Sequence, residues 1–275
     1  MPAVSIDHYE NFPVASALCP ARRRPAVRAI YAYARTADDL ADEGDADRLC
    51  RLGDLAAYRE DLHAVLRGDA PSRRWSHVFL PLADAIRDYR LPGAPLEALL
   101  DAFVQDLTKH RYLDREELLA YCERSANPVG RLMLHLYGVD DEQARRESDA
   151  ICTGLQLANF WQDLRVDTAR GRLYVPLDAC RRHDVPPASL LAHQETPRTP
   201  ALLRELVDWA ESLLREGAPL VRRLPGRAGW ELRLVVQGGL RILERIRRLN
   251  YAMLHTRPVL GPRDAWPMLW RAWRM

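Results

Sequence analysis

Apolar residues recur at three- and four-residue spacing through nearly the whole chain, and this period leaves room for little besides α-helix. The segments are 21–43, 47–67, 73–90, 95–111, 114–137, 141–168, 200–222 and 229–256. Alternating stretches rich in β-branched residues are nearly absent. Pro92, Pro95, Pro176, Pro186, Pro187, Pro197, Pro200 and Pro258 fall between the periodic segments, where a helix should stop. The stretch 183–200, rich in Pro, His and Thr, reads as a loop. No internal repeat interrupts the pattern. The expectation is all-α, one domain across 1–275, with 275 residues enough to bury a substantial core.

Composition narrows the function classes. A formal net charge of +2 gives no basic stripe for a nucleic-acid partner. Lys109 is the only lysine, so no phosphate-binding loop of the Gly-Lys type exists, and Schiff-base chemistry would rest on that residue alone. Cys19, Cys50, Cys122, Cys152 and Cys180 are odd in number and widely spaced, which suits a reducing compartment rather than a disulfide or zinc framework. The eight histidines are scattered without ligand spacing and read as structural or surface residues. Residues 1–16 lack a basic segment followed by an apolar one, so no secretory signal is expected. No run of eighteen apolar residues is present. A cytoplasmic protein, with contact at most on the inner face of a membrane, is expected.

Two polar stripes stand out on these helices. Tyr31, Arg35, Asp38 and Asp42 are spaced by four, three and four residues, and fall within an arc of about 60° on one helix face. Gln156, Asn159, Asp163 and Asp167, spaced by three, four and four, form a similar narrow stripe. Each ends in two carboxylates at i and i+4, which repel by a few tenths of a kcal/mol, so roughly 0.2–0.5 kcal/mol needs an offset. On a solvated face a nearby arginine supplies it, and that is the competing reading. Here the flanks are apolar: Ile30, Ala34 and Ala37 around one pair, Leu155, Leu157, Phe160 and Trp161 around the other. Such carboxylates are expected to face a cavity. Magnesium takes one or two carboxylates plus phosphate oxygens, and two facing Asp-x-x-x-Asp helices could hold it.

With its Tyr31 and Arg35, the Asp38-Asp39-Leu40-Ala41-Asp42 segment resembles the first aspartate-rich motif of the squalene/phytoene synthase family. Gln156-Leu157-Ala158-Asn159, followed by Asp163 and Asp167, resembles the second. Gly171-Arg172-Leu173-Tyr174-Val175-Pro176 is similar to the family's Gly-Arg-x-Tyr-x-Pro stretch, and Asn250-Tyr251 with Arg257 to its C-terminal helix. The likeness spans about residues 8–256. It implies an isoprenoid-synthase helical bundle with a central cavity, Mg2+ as cofactor, and a prenyl diphosphate whose ionisation starts carbocation chemistry. Asn11-Phe12-Pro13-Val14-Ala15-Ser16, Ser125-Ala126-Asn127-Pro128-Val129-Gly130-Arg131 and Asn159-Phe160-Trp161-Gln162-Asp163 resemble the hopanoid-pathway branch, which converts presqualene diphosphate to hydroxysqualene. That branch implies an upstream condensing synthase and a downstream reductase as pathway partners. Two departures bear on substrate. Gln162 stands where many condensing members carry arginine, and glycine fills Gly238-Gly239 where some relatives place an aromatic residue. Both favour one substrate over two.

On this reading Asp38, Asp42, Asp163 and Asp167 hold the metal, and Arg35, Ser16 and Arg257 bind phosphate oxygens. Gln156 and Asn159 complete the substrate-binding face. Tyr31, Phe160 and Trp161 line the cation's path. Asn127, ahead of Pro128 in a helix expected to kink there, is a candidate for holding the attacking water, against a role in satisfying the kinked backbone. Tyr112, Tyr121 and Tyr137 read as core. Trp266, Leu269, Trp270 and Trp273, in a C-terminal helix 262–275, read as core packing, with a helix lying on a membrane surface as the alternative. Two other functions stay open: head-to-head condensation of two farnesyl or geranylgeranyl diphosphates, and a non-catalytic helical subunit that binds a partner or membrane.

Overall fold

The computed structural model describes residues 19–275. Helices α1 (Arg24–Asp42), α2 (Arg48–Arg67), α3 (Ser76–Tyr89) and α4 (Gly93–Asp106) follow one another through short turns. Next come α5 (Arg115–Ser125), α6 (Asn127–Tyr137), α7 (Glu142–Gln162) and α8 (Leu164–Ala169). Two short helices, α9 (Leu177–Arg182) and α10 (Pro187–Leu191), precede α11 (Thr199–Gly217), α12 (Arg227–Arg248) and α13 (Pro262–Arg274), with a 3₁₀ turn at Ala218–Arg222. Among the described residues there is no strand, only one isolated parallel bridge between Arg111 and Leu173. The all-α expectation holds.

Local chemistry sets the boundaries. Asp47, Asp114 and Asp141 each accept a hydrogen bond from the backbone N–H three residues on, at 2.8, 2.9 and 2.9 Å, and so cap α2, α5 and α7. The segment 114–137, expected as one kinked helix, is two. Pro128 sits in the first turn of α6, where its missing N–H costs nothing, and α5 stops at Ser125. Likewise 141–168 divides at Asp163 into α7 and α8. The stretch expected as a loop over 183–200 contains α10, begun by Pro187.

The helices bury two apolar clusters. One joins α1 to α4, with Leu132 and Leu136 of α6. Its centre is aromatic: Tyr33 stacks on Tyr58 at 5.5 Å, and Phe79 packs on both. The Tyr33 hydroxyl donates to the Leu96 carbonyl at 2.9 Å, so its polar end is satisfied as the ring is buried. Burial of Phe79 alone is worth roughly 1.5–3 kcal/mol. The second cluster surrounds α7, which is buried on most of its circumference and packs most extensively on α11. That approach needs glycine. A Cβ on Gly154 would lie 3.0 Å from the Leu214 backbone nitrogen, and one on Gly217 2.4 Å from the Glu147 carbonyl oxygen. Gly239 likewise admits Leu155 and Leu214 at its face, so the glycine at this position serves helix packing.

The aromatic stripe of α13 does not enter either cluster. Trp266 is 76 % exposed, Trp270 52 % and Trp273 64 %, and the opposite face, Asp264 and Ala272, is the buried one. The core reading of this stripe is therefore wrong. A charged residue anchors the helix: Asp264 accepts from Arg241 at 2.7 Å, from Arg245 at 2.6 Å and from the Gly261 N–H at 2.8 Å. With its anchor buried, the remaining face is left to solvent.

Candidate active site

Between the two clusters lies a cavity of about 590 Å³, walled by α1, α4, α5, α6, α7 and the 167–174 segment. The cavity face of α1 carries Tyr31, Arg35, Asp38 and Asp42. That of α7 and the turn beyond it carries Gln156, Asn159, Phe160, Asp163 and Asp167. Both stripes thus face one space, as their spacing predicts.

Each aspartate pair is unequal. Arg172 grips Asp42 with both terminal nitrogens, at 2.5 and 2.8 Å, and Arg170 adds a third contact at 3.6 Å. Burial alone would push the Asp42 carboxyl up, but the Arg172 hydrogen bonds and the arginine charges outweigh it and hold the group below its ordinary range. Asp38 is pushed up to about 6, chiefly by burial and then by the Asp42 charge one turn away, against a weaker pull from Arg35. In the second pair Asp163 is held by the Arg257 guanidinium, with one contact at 3.3 Å and a shorter one from Nε. Asp167 is pushed up to about 7 by burial and then by Asp163.

The residues that return the chain to the cavity do much of this work. Gly171 adopts φ +77, a left-handed conformation that costs a residue without a Cβ little. It turns the backbone so that the Arg172 N–H donates to the Asp167 carbonyl at 2.8 Å and the Arg172 side chain reaches Asp42 across the cavity. Two residues on, Tyr174 stacks face to face on Phe160, 3.8 Å between centroids. Beside them Asp106, at the end of α4, is pushed up to about 7 by burial. It accepts from the Tyr121 hydroxyl at 2.7 Å and keeps its other oxygen without a partner among the protein atoms.

Asp106, Tyr121, Arg170, Arg172 and Tyr174 therefore line the site without having been singled out for it. Arg172 and Tyr174 stand in a motif that the sequence displays, and only their role was missing. For Asp106 the usable signal was a carboxylate one turn after Phe103, on the apolar face of its helix rather than on the face of Glu97 and Asp101. Tyr121 was read as core, and its ring is indeed buried, but its hydroxyl belongs to the cavity wall.

Three other residues singled out above sit off the cavity wall. Trp161 is fully buried in the core around α7, one residue off the cavity face, so it does not line a cation path. Asn127 is 4 % exposed and its side-chain oxygen accepts from the Thr153 hydroxyl at 2.9 Å, tying α6 to α7. It is not among the residues of the cavity wall. Gln162 turns away from the cavity, and its amide donates to the Pro258 carbonyl at 2.7 Å, next to Arg257. Ser16 lies outside the described residues.

Past Val27, Val129 and Met133 the cavity adjoins a second space of about 300 Å³, almost wholly apolar, between α6, α7 and α12. A polar chamber with an apolar annex suits an amphiphile with a charged head, and both spaces lie in the usual size range of ligand pockets.

Among the described residues no three Asp, Glu, His or Cys side chains converge into one metal-binding group. The donors nevertheless fit magnesium. They are hard oxygens in two pairs, one on α1 and one across the α7–α8 junction, and this ion takes few protein ligands and completes its shell with water and phosphate. Buried carboxylates whose protons are held to pH 6 or 7 are also groups that a cation would deprotonate on binding.

A helical bundle whose opposed aspartate pairs look onto one chamber suits an enzyme whose substrate carries a charged head. The chain belongs to the squalene/phytoene synthase family, whose model matches residues 7–264. It is 34 % identical over 256 residues to a hydroxysqualene synthase of Rhodopseudomonas palustris, covering 92 % of this chain and 82 % of that one. A phytoene synthase of Thermus thermophilus is 31 % identical over 252 residues, covering 91 % and 83 %. The crystal structure of squalene synthase HpnC from Alicyclobacillus acidocaldarius superposes with a TM-score of 0.82 at 38 % identity, covering 89 % of this chain and 90 % of that one.

Proposed function

We propose that this chain, acting as one domain, converts presqualene diphosphate and water to hydroxysqualene and inorganic diphosphate. The observation that carries the reading is the two aspartate pairs facing one chamber that adjoins an apolar annex across Val27, Val129 and Met133. Asp38, Asp42, Asp163 and Asp167 are the residues to hold Mg2+. When bound, the metal neutralises the diphosphate, so the carbon–oxygen bond breaks without a strong acid.

The chain's own groups do the rest. Arg35 lies on the cavity face of α1, paired with Asp38 at 3.1 Å, Asp39 at 2.8 Å and Glu43 at 2.9 Å. These carboxylates hold its guanidinium at the cavity rim, and a diphosphate would have to draw it from them to gain its planar donors. Arg170 and Arg172 stand on the opposite side of Asp42, and Arg257 beside Asp163. The diphosphate leaves with the electron pair of the broken bond. The stacked Phe160–Tyr174 faces, with Tyr31, border the space in which the cyclopropylcarbinyl cation rearranges, and aromatic faces attract such charge by roughly 0.5–2 kcal/mol each. Water adds to the rearranged cation and loses one proton, which balances the reaction. Gln156 and Asn159 are the neutral polar groups on that wall. The two prenyl tails occupy the apolar annex. In a cytoplasmic pathway, a condensing synthase supplies the substrate and a reductase removes the hydroxyl.

Similarity to the hydroxysqualene synthase and an uncharged Gln162 turned toward Pro258 favour this one-substrate reaction. Similarity to the phytoene synthase supports the second reading, condensation of two prenyl diphosphates. Product analysis by mass spectrometry separates them. Purified protein with Mg2+ is given presqualene diphosphate and, separately, farnesyl diphosphate. Hydroxysqualene from the first alone is expected. A condensed C30 product from farnesyl diphosphate would transfer the assignment to a condensing synthase.

A further inference from the structure

We propose that the outward face of α13 is a docking surface for an anionic lipid bilayer. Trp266, Leu269, Trp270 and Trp273 are all exposed, and at about 100° per residue they share an arc of about 100° on this helix. Arg263 and Arg274 lie along one edge of that arc, both exposed, the Arg274 guanidinium over the Trp270 ring at 5.8 Å. The Trp270 and Trp273 rings lie 5.6 Å apart and form one aromatic patch within the stripe.

The stripe cannot turn inward. Asp264 is clamped by Arg241 and Arg245, Arg271 pairs with Glu244, and the Ala272 carbonyl accepts from Arg233 at 3.2 Å. A rigidly docked helix that presents tryptophan outward is a preformed contact surface. Arg233 also lies over the exposed Trp230 ring at 5.0 Å, which joins an aromatic residue of α12 to the same end of the molecule.

Charge selects the occupant. α12 and α13 together hold nine arginines against three carboxylates, in a chain whose formal net charge is only +2. The rest of the molecule is therefore net acidic; Arg241, Arg245, Arg247 and Arg271 are paired with Asp264, Glu244, Asp208 and Glu211, and the charges that flank the stripe are Arg263 and Arg274. Tryptophan and arginine on one face suit the headgroup region of an anionic membrane, where basic residues near the surface are attracted to the lipid charge. The placement also serves an apolar ligand. Ala228, Glu231, Leu232 and Val235 of α12 wall the apolar annex, one helix away from the proposed lipid contact.

Vesicle flotation of the full chain tests this without reference to turnover. Binding is expected to phosphatidylcholine vesicles containing about one third phosphatidylglycerol, weakening with salt, and little is expected to phosphatidylcholine alone. Replacing Trp266, Trp270 and Trp273 together by serine lowers the vesicle partition coefficient roughly tenfold or more. Changing Arg263→Gln with Arg274→Gln lowers it roughly fivefold or more and flattens the salt dependence. Thermal melts by circular dichroism check that each variant is folded, and the arginine variant decides the matter if the tryptophan one is not. Absence of wild-type binding to anionic vesicles overturns the proposal. So does binding that neither variant weakens, or a concentration-dependent dimer in sedimentation velocity that the tryptophan variant abolishes while vesicles capture nothing.

Discussion

The two aspartate pairs look alike on paper and are built differently. In the first, Asp42 is locked by Arg172, 130 residues away, with side chains only 19 % and 16 % exposed. In the second, Asp163 meets Arg257 with 30 % and 26 % exposure, in a loop beyond α12. The first pair sits on an unbroken helix. The second straddles the break between α7 and α8, where Asp163 closes one helix and opens the next. What they share is an asymmetry: Asp42 and Asp163 are each gripped by an arginine from far along the chain, and the carboxyl one turn away, Asp38 or Asp167, is pushed up by partial burial and by that neighbour's charge. The pattern lets two like charges stand in a cavity before any cation arrives.

This comparison can be broken at four points. The largest effect is expected from Asp38→Asn or Asp167→Asn, each lowering turnover about 10³-fold by removing an oxygen proposed to hold the metal, read by release of inorganic diphosphate. The same variants should be more stable than the wild type without metal, because a buried like charge is gone. A loss of stability would show that the pairs are held by something other than the arginines.

Asp42→Asn acts in the other direction. It leaves the Arg172 charge largely buried without its partner, at a cost of about 3 kcal/mol in urea unfolding. Stability unchanged within about 0.5 kcal/mol would mean that the Arg172 grip contributes nothing.

The pH profile follows with its sign. Asp38 and Asp167 hold protons more tightly folded than unfolded, with values near 6 and 7 against an ordinary 3.8. Their contribution is complete below about pH 4 and is lost as pH rises through 6 to 7. The metal-free melting temperature should therefore fall between pH 5 and pH 8. Added Mg2+ should raise it more at pH 8 than at pH 5, since the cation competes with protons. A melting temperature flat over that range would contradict the inequality within each pair.

The smallest effect is expected from Arg257→Gln. Both partners of that pair reach water, so the cost to stability is about 1 kcal/mol or less. A loss as large as that of Asp42→Asn would erase the difference between the two pairs.

Much of the site was legible because helical spacing converts directly into a shared face. Tyr31, Arg35, Asp38 and Asp42 lie where an arc of about 60° puts them, and the second stripe follows the same rule. Partners distant in the chain were not legible. Nothing near Asp42 announces Arg172, and nothing near Asp106 announces Tyr121. Proline was read correctly as a breaker but not as a starter: Pro128 and Pro187 each begin a helix, since the first turn needs no N–H from them. Asn127 illustrates a further limit, because a polar residue beside a break can serve a cavity or a neighbouring helix, and Thr153 decides it.

Periodicity by itself determined that this chain is helical and that its carboxylates pair on two faces, because both follow from the 100° step between neighbouring side chains. Which arginine neutralises which aspartate was decided only when α1, α7 and the turn at Gly171 came together. So was the direction in which the α13 tryptophans face. Charge pairing and burial depend on neighbours that the folded chain brings within a few ångströms, and no local spacing encodes them.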